Sequence, residues 1–200
     1  MVVRAFVLCC THKPSPAASS SELLGRQVLT ALAEHDVAGE LIRVVDHRIR
    51  LVTGTDDDGG DEWPELRAKL LDADILVIAT PIRLGEPASV CQLILDRLDA
   101  EFAESDGRGR MPTFGKVAAV VVVGDEDDAD RVGADVLQAL NDVGFSIPAA
   151  ATSYWVGDIG GMNHRDAAAE ADTPTAATAT LARHAAHLAN LLRTQPYPAA

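Results

Sequence analysis

The sequence has few basic residues and no long apolar run, and both absences exclude classes of protein. Its 200 residues contain 17 Lys and Arg against 30 Asp and Glu, a formal net charge of −13. A polyanion needs a basic surface, so we expect no nucleic-acid partner. The longest apolar run, Val117–Val123, is far shorter than the roughly 20 residues that cross a bilayer, so we expect no membrane span.

Cysteines are also scarce. Cys9, Cys10 and Cys91 form neither a C-x-x-C pair nor an even disulfide set, which argues against an iron–sulfur cluster or a structural zinc and fits a reducing compartment. The N-terminus shows no cleavable signal pattern, and we predict a cytoplasmic protein. We interpret Cys9 and Cys10 as small buried hydrophobic residues, since a redox role requires a lowered thiol pKa.

What the sequence does contain is an alternation of short apolar runs with helical patterns, which is typical of β-α-β units and a parallel sheet. Predicted strands are Val2–Cys10, Glu40–Val45, Ile75–Ala79, Val117–Val123 and Phe145–Ala151. Predicted helices follow Ser19, span Trp63–Leu71, begin near Pro87, follow Asp130 and open at Thr173–Pro174. No composition break divides the chain. We predict one doubly wound α/β domain over residues 1–194, with five parallel strands and a loose tail at 195–200.

The loop after the first strand is rich in hydroxyl groups, at Thr11, Ser19, Ser20 and Ser21, and carries the cation of Lys13. It precedes a helix N-terminus, where N–H groups and the helix dipole favour a phosphate. The alternative is that Ser19 only caps the helix, since Glu22 stands at capping-box spacing, and that the other serines solvate a turn.

Two glycine motifs that bind phosphates are missing after this strand. Neither G-x-G-x-x-G nor G-x-x-x-x-G-K-S/T occurs there, so nicotinamide binding of the Rossmann kind and Walker-type NTPase chemistry both lose support. Without those glycines, Asp46 at the end of the second strand is interpreted as a surface acid rather than a ribose ligand.

Several segments, taken together and in order, resemble the flavodoxin-like NAD(P)H-dependent FMN reductase family. These segments are Cys10–Pro16, Ser19–Leu24, Ala79–Ser89, Val123–Asp127, Gln138–Pro148 and Tyr154–Trp155. The resemblance covers nearly the whole chain. It implies the flavodoxin-like strand order 2-1-3-4-5 with helices on both faces.

The resemblance also implies FMN held by three loops, with NAD(P)H as hydride donor and the flavin carrying the chemistry, so that no catalytic side chain is required. The implied cofactor-binding residues are Thr11, Lys13, Ser19, Ser20 and Ser21 in the first loop, Pro81, Ile82, Arg83, Leu84 and Gly85 in the second, and Gly124, Asp125, Glu126 and Asp127 in the third. Family members usually form homodimers or larger symmetric assemblies with the flavin near the interface.

The sequence departs from the family pattern beside the expected ring site. Arg83 stands where relatives commonly have an aromatic residue, and Asp125, Asp128 and Asp130 replace the expected Asn, Gly and His. A negative loop disfavours an anionic reduced flavin and repels the phosphates of NAD(P)H. Arg83 offsets part of this charge.

Other residues have two interpretations each. Tyr154, Trp155 and His164 are candidate substrate contacts, although Trp155, like Trp63, also suits a core or a dimer interface. His184 and His187 lie three apart on the last predicted helix, where a solvated face is favoured over a metal site.

Three functional hypotheses follow. The first is an FMN-dependent NAD(P)H oxidoreductase that passes electrons to a small-molecule acceptor such as a quinone, a nitro or azo compound, or free flavin. The second is a flavodoxin-like electron carrier whose acidic surface docks on a basic partner. The third is a flavin-free descendant of the fold, motivated by Arg83 and the additional aspartates.

Overall fold

The computed structural model describes residues 2–51, 60–99, 105, 109–124, 126–155 and 175–198, without the side chains of 126 and 127. The strands are β1 (Val3–Cys9), β2 (Val37–Arg43), β3 (Ile75–Arg83), β4 (Glu86–Pro87), β5 (Val117–Val123) and β6 (Thr152–Trp155). The helices are α1 (Ser20–Ala33), α2 (Trp63–Asp72), α3 (Ser89–Asp99), α4 (Glu126–Asp142) and α5 (Ala176–Thr194), and a 3₁₀ turn covers Val44–Asp46.

Five strands form a parallel sheet in the order β2-β1-β3-β5-β6, and β4 pairs antiparallel with the end of β3. With the short β4 set aside, this is the predicted order 2-1-3-4-5, and the predicted fold class is confirmed. The central strands β3 and β5 are buried almost throughout, as continuous apolar runs in a parallel sheet should be.

Each face of the sheet is covered by its own helices, as a doubly wound fold requires. One core joins the sheet to α2, α3 and α4 and contains Trp63, Ile94 and Phe145, all at most 1% exposed. The other joins it to α1 and α5 around Val28 and Leu181. Trp63 is therefore a core residue.

The second strand begins earlier than predicted, at Val37 rather than Glu40. Residues 37–39 pair with Val3–Ala5, so Gly39 lies inside the edge strand. A Cβ on Gly39 would stand 2.6 Å from Leu29 Cδ2 and 2.9 Å from the Ala5 carbonyl oxygen. The close approach of α1 therefore requires glycine at this position. Because glycine is uncommon in strands, the sequence pattern did not indicate that the strand begins before it.

The fifth parallel strand was predicted at Phe145–Ala151 and lies instead at Thr152–Trp155. Before it, Ser146 forms only an isolated bridge with Val117. Pro148 has no N–H for a ladder, and Ala150 adopts a φ of 55°, so the chain turns before pairing with β5. The last helix begins at Ala176, just after the predicted Thr173–Pro174.

The segment Thr80–Glu86 was predicted as a loop leading to a helix near Pro87. In the structure β3 continues to Arg83, turns at Leu84 and Gly85, and returns through β4 before α3 begins at Ser89. Leu84 and Gly85 have φ values of 53° and 77°, both positive as in the type I′ turn of a two-residue hairpin. Because leucine is rare in that conformation, the hairpin was missed.

Near the C-terminus, Tyr197 contacts the body of the domain. Its hydroxyl accepts a hydrogen bond from Ser146 Oγ at 3.0 Å, and its ring lies 5.2 Å from that of Phe114. Within the described ranges, the helices are all too short or too polar to cross a membrane.

Candidate functional site

The three predicted binding loops follow β1, β3 and β5, whose carboxyl ends share one edge of the parallel sheet. Two contacts along this edge connect the first loop to the start of α3, and the hairpin to the third loop. His12 of the first loop places Nε2 2.9 Å from Ser89 Oγ at the start of α3, and Ile82 of the hairpin covers Gly124 after β5. The loops therefore line the crevice where an open α/β sheet binds ligands.

The first loop leads into the N-terminus of α1. Ser19 is the N-cap of this helix, with Oγ accepting the Glu22 N–H at 3.4 Å, as its spacing to Glu22 predicts. The first intrahelical hydrogen bond is donated by Leu23 to the Ser19 carbonyl at 3.1 Å. The N–H groups of Ser20 and Ser21 precede it and point toward the positive end of the helix dipole. Thr11, 4% exposed, accepts the Lys13 N–H at 3.3 Å.

Two residues at the end of β2 hold this loop in place. Arg43 donates from Nη1 to the Lys13 carbonyl at 3.0 Å, and from Nε at 2.9 Å and Nη2 to Glu22 Oε2. Asp46 accepts the Ser15 N–H at 2.9 Å and the Ser15 hydroxyl at 2.5 Å. These hydrogen bonds from Ser15 hold the pKa of Asp46 below its usual value. Asp46 is an exposed acid, as predicted, that also anchors the first loop.

The second loop is the β3–β4 hairpin, and it contacts the start of α4. Arg131 Nη1 lies 3.2 Å from Glu86 Oε1 on the hairpin and 3.3 Å from Asp135, while Nη2 lies 3.8 Å from Asp128. Arg83 is exposed, and Leu84 at the tip is completely exposed to solvent. The hairpin thus presents a cation and an apolar side chain at the rim of the crevice.

The third loop begins at Gly124, where there is no space for a side chain. A Cβ there would stand 2.6 Å from Ile82 Cδ1 and 2.7 Å from Cγ1. The Gly124 N–H donates to the Trp155 carbonyl at 3.2 Å, which joins this loop to β6. Asp125 and the side chains of Glu126 and Asp127 lie outside the described residues.

The predicted negative patch is partly balanced where the structure describes it. Asp128 lies within ion-pair distance of Arg131, and Asp130 accepts a hydrogen bond from the Tyr154 hydroxyl. Burial together with this hydrogen bond raises the pKa of Tyr154 to about 12. Tyr154 therefore stays neutral and is held beside the third loop.

The other candidate substrate residues, Trp155 and His164, do not join Tyr154 beside the third loop in the described part of the structure. Trp155 follows Tyr154 on β6 but packs toward the core of α1 and α5, on the opposite face of the sheet. His164 lies outside the described residues. On α5, His184 Nδ1 is 2.8 Å from the Ala149 carbonyl oxygen, while His187 is exposed. Within the described ranges no cluster of three or more His, Cys, Asp or Glu is arranged to hold a metal ion.

The three cysteines are free and buried. Burial raises the pKa of the Cys9 thiol, and a hydrogen bond with Cys91 together with burial raises that of Cys10. Both shifts disfavour the reactive thiolate, so Cys9 and Cys10 behave as the small hydrophobic residues predicted from the sequence.

The residues of the first loop fit the phosphate of FMN. Hydroxyl groups, the N–H groups of Ser20 and Ser21, and the Lys13 cation are all donors suited to a phosphate. Of the carboxylates near this loop, Asp46 accepts hydrogen bonds from Ser15, and Glu22 is paired with Arg43 and also with Arg26 Nη2 at 2.6 Å.

Sequence reasoning missed four residues that organise the site: His12, Arg43, Asp46 as an anchor, and Arg131. Arg43 had a visible signal, because it interrupts the apolar run of Leu41, Ile42 and Val44 just before the strand ends. A charge in such a position indicates a buried partner. The other three depend on contacts between distant segments, for which the sequence has no local signal.

Comparison with known proteins places this geometry in a family. The family described as NADPH-dependent FMN reductase matches residues 3–164. The chain is 31% identical to 8-demethyl-8-aminoriboflavin-5′-phosphate synthase of Streptomyces davaonensis, over an alignment of 208 positions. This alignment covers 98% of this chain and 81% of that protein. It also superposes on the crystal structure of RosB with a TM-score of 0.87 and 30% identity, over 98% of this chain and 82% of that one. That crystal structure contains the intermediate 8-demethyl-8-formylriboflavin-5′-phosphate.

Two other similarities have a narrower meaning. A Mycobacterium bovis protein named divalent metal cation transporter MntH is 32% identical over 96% of this chain, but the match covers only 29% of that longer protein. The apo structure of NADH:FMN oxidoreductase EmoB, at 18% identity and a TM-score of 0.65 over 97% of this chain and 92% of that one, shares the fold. The chain belongs to the NADPH-dependent FMN reductase family of flavin-dependent oxidoreductases, and FMN and NAD(P)H are its cofactors, as the resemblance implied.

Proposed function

We propose that this protein is an FMN-dependent NAD(P)H oxidoreductase that passes electrons to a small-molecule acceptor. The observation that carries the proposal is the meeting of the first loop, the β3–β4 hairpin and Gly124 at the carboxyl edge of the sheet. When bound, FMN supplies two-electron chemistry, accepting hydride from NAD(P)H and releasing electrons to the acceptor. Quinones, nitro or azo compounds and free flavins are the acceptor classes.

In this proposal the chain's own residues bind and orient the flavin. Thr11, Lys13 and Ser19–Ser21 receive the phosphate, and Pro81–Gly85 line one side of the ring. Gly124–Asp127 flank the other part of the ring, and Tyr154 faces the substrate as a neutral hydroxyl. Trp155, which packs toward the opposite core, serves instead to anchor the third loop through its carbonyl. His164 remains a candidate substrate contact.

The proposed position of the phosphate is tested by adding one negative charge among the residues that would bind it. Ser20→Glu should weaken FMN binding by about a hundredfold, because two like charges meet in a partly buried site. Thr30→Glu is the matched control, since it adds the same charge on an exposed position of the same helix. Affinities are measured from the quenching of flavin fluorescence. Equal affinity in both variants would contradict the placement.

A second candidate is that FMN is the substrate that the protein modifies. The specific observation is the 31% identity, over 98% of this chain, to a synthase of an 8-amino flavin phosphate. The two functions differ in the fate of the flavin. With NAD(P)H and a quinone, an oxidoreductase turns over many times and returns FMN unchanged. A modifying enzyme supplied with an amine donor and dioxygen converts FMN to a flavin phosphate of different mass, which chromatography with mass detection would show.

We also propose a cytoplasmic, symmetric homodimer with one flavodoxin-like domain over residues 1–194. The unpaired buried cysteines support a reducing compartment. The completely exposed Leu84 beside the proposed ring site supports an interface there, because contact with a second subunit would remove its apolar side chain from water. Light scattering coupled to size exclusion measures the mass, and a monomer at micromolar concentration would contradict the dimer.

A further inference from the structure

Arg43 is a buried cation at the end of β2, with its side chain only 6% exposed. A buried guanidinium is costly unless its donors are engaged. Here they reach two segments of the proposed phosphate site: Nη1 donates to the Lys13 carbonyl at 3.0 Å, and Nε donates to Glu22 Oε2 at 2.9 Å. Arg43 therefore lies behind the site rather than in it.

Glu22 poses an electrostatic problem for an anionic ligand. Its carboxylate lies in the first turn of α1, close in sequence to the N–H groups of Ser20 and Ser21. Burial by itself would raise the pKa of Glu22, but the hydrogen bonds from Arg43 and Arg26 outweigh it and lower the pKa. Glu22 therefore stays ionised at neutral pH, and an unpaired charge there would repel a phosphate.

The two arginines that pair with Glu22 differ in a useful way. Arg43 is buried and also holds the backbone of the first loop through Lys13. Arg26 is 62% exposed and reaches Glu22 Oε1 from the solvent side of α1. Solvent screens the exposed pair strongly, so most of the compensation of Glu22 falls to Arg43.

We propose that Arg43 is a positioning residue for the flavin 5′-phosphate. It cancels the charge of Glu22 and keeps the Lys13 carbonyl oxygen occupied and directed toward itself, and in this way it sets the preference of the protein for FMN over riboflavin. The inference rests on the proposed function, since it requires the phosphate to bind at the start of α1. Riboflavin lacks the phosphate, so its affinity is not governed by Arg43.

The test is the ratio of the dissociation constants of riboflavin and FMN, each measured by flavin fluorescence quenching. In Arg43→Gln the ratio should fall about tenfold, because Glu22 keeps only its exposed pair with Arg26, and solvent screens that pair strongly. In Arg26→Gln, the matched control, it should change by less than about twofold. A purely structural role for Arg43 would weaken both flavins equally and leave the ratio unchanged.

A second variant separates charge from loop position. Glu22→Gln in the Arg43→Gln protein removes the carboxylate that Arg43 no longer pairs and should restore at least half of the lost preference on a logarithmic scale. If Arg43→Gln does not fold, as judged by circular dichroism, Arg43→Lys replaces it. That variant keeps the charge without the fork of donors, and the ratio should fall about threefold.

The outcomes distinguish the inference from the proposed function. If the unaltered protein binds riboflavin as tightly as FMN, the proposed phosphate site is wrong. If it prefers FMN and every folded Arg43 variant keeps that preference, the site stands and the inference is overturned.

Discussion

Gly124 shows how a single residue without a side chain joins two of the loops. Ile82 occupies the space where a Cβ would lie, with its three nearest side-chain atoms 2.6 to 2.8 Å from that position. Ile82 belongs to the hairpin and Gly124 to the third loop. The close contact fixes the distance between the two segments that are proposed to enclose the flavin ring.

Gly124→Ala should therefore lower the free energy of unfolding by about 1–3 kcal/mol, the usual cost of overpacking a core contact. Urea denaturation followed by circular dichroism measures the change. Adding Ile82→Val to the same chain removes a methyl group from the clash and should recover part of the loss. If the single variant unfolds at the same urea concentration as the original protein, the contact does not constrain the loops.

Tyr154 stays neutral to a higher pH than an ordinary tyrosine. Burial and the Asp130 carboxylate raise its pKa to about 12, against about 10 for an unfolded tyrosine. Its contribution to stability is therefore fully present below pH 10 and is lost as the pH rises from 10 to 12.

Asp130→Asn removes the charge that opposes the phenolate, so the pKa of Tyr154 should fall. Ultraviolet titration of phenolate absorption measures it, with Tyr154→Phe identifying which transition belongs to this residue. A Tyr154 transition that stays at the same pH in Asp130→Asn would contradict the negative charge of Asp130 as a cause of the raised pKa.

Among single residues, the sequence predicted those whose roles depend on neighbours in the chain. Ser19 and Glu22 were recognisable from capping-box spacing, and the buried cysteines from their place at the end of an apolar strand. Arg43 and Arg131 were not recognised, because the contacts that link them to other elements, with Glu22 and Glu86, span 21 and 45 residues of sequence. A long-range ion pair leaves no periodic pattern.

Among the elements, the β3–β4 hairpin combines strain with exposure. Leu84 has a φ of 53°, a conformation that costs most L-residues energy, and its side chain touches solvent rather than the core. In a monomer this arrangement has no compensating contact, which is why we relate Leu84 to an interface or a bound substrate.

Leu84→Asn creates the Asn-Gly pair that a type I′ turn favours, and should raise the free energy of unfolding by about 0.5–1 kcal/mol. Leu84→Val, with a β-branched side chain, should lower it. Thermal or urea unfolding at low protein concentration distinguishes the two. A loss of stability in Leu84→Asn would show that the leucine is already buried in solution.

The elements that were predicted at the right places are those with continuous apolar patterns. β5 and α2 follow the sequence closely, and β3 begins where predicted, because their side chains face a core on one or both sides. The edge strand β2 and the short β6 were displaced, since their boundaries depend on Gly39, Pro148 and the turn at Ala150 rather than on hydrophobicity. The hairpin was missed because Leu84 is an unusual turn residue.

At the scale of the whole molecule, the parallel α/β class was predictable from the alternation of strands and helices, whereas the strand order followed from the resemblance to the flavodoxin-like family. Parallel strands bring the loops after β1, β3 and β5 together wherever their exact ends lie. The net charge of −13 sets a further constraint, because a phosphate-bearing ligand must overcome the field of an acidic protein. Local ion pairs that neutralise carboxylates near the proposed site, such as that of Glu22 with Arg43, therefore favour binding of a phosphate.

The measurement that tests this account most directly is the visible spectrum of the purified protein after FMN is added and the excess is removed by desalting, followed by anaerobic addition of NADPH. The account predicts that flavin absorption persists in proportion to protein and that NADPH bleaches it. A protein that emerges colourless after saturation with FMN would contradict the flavin site at the carboxyl edge of the sheet.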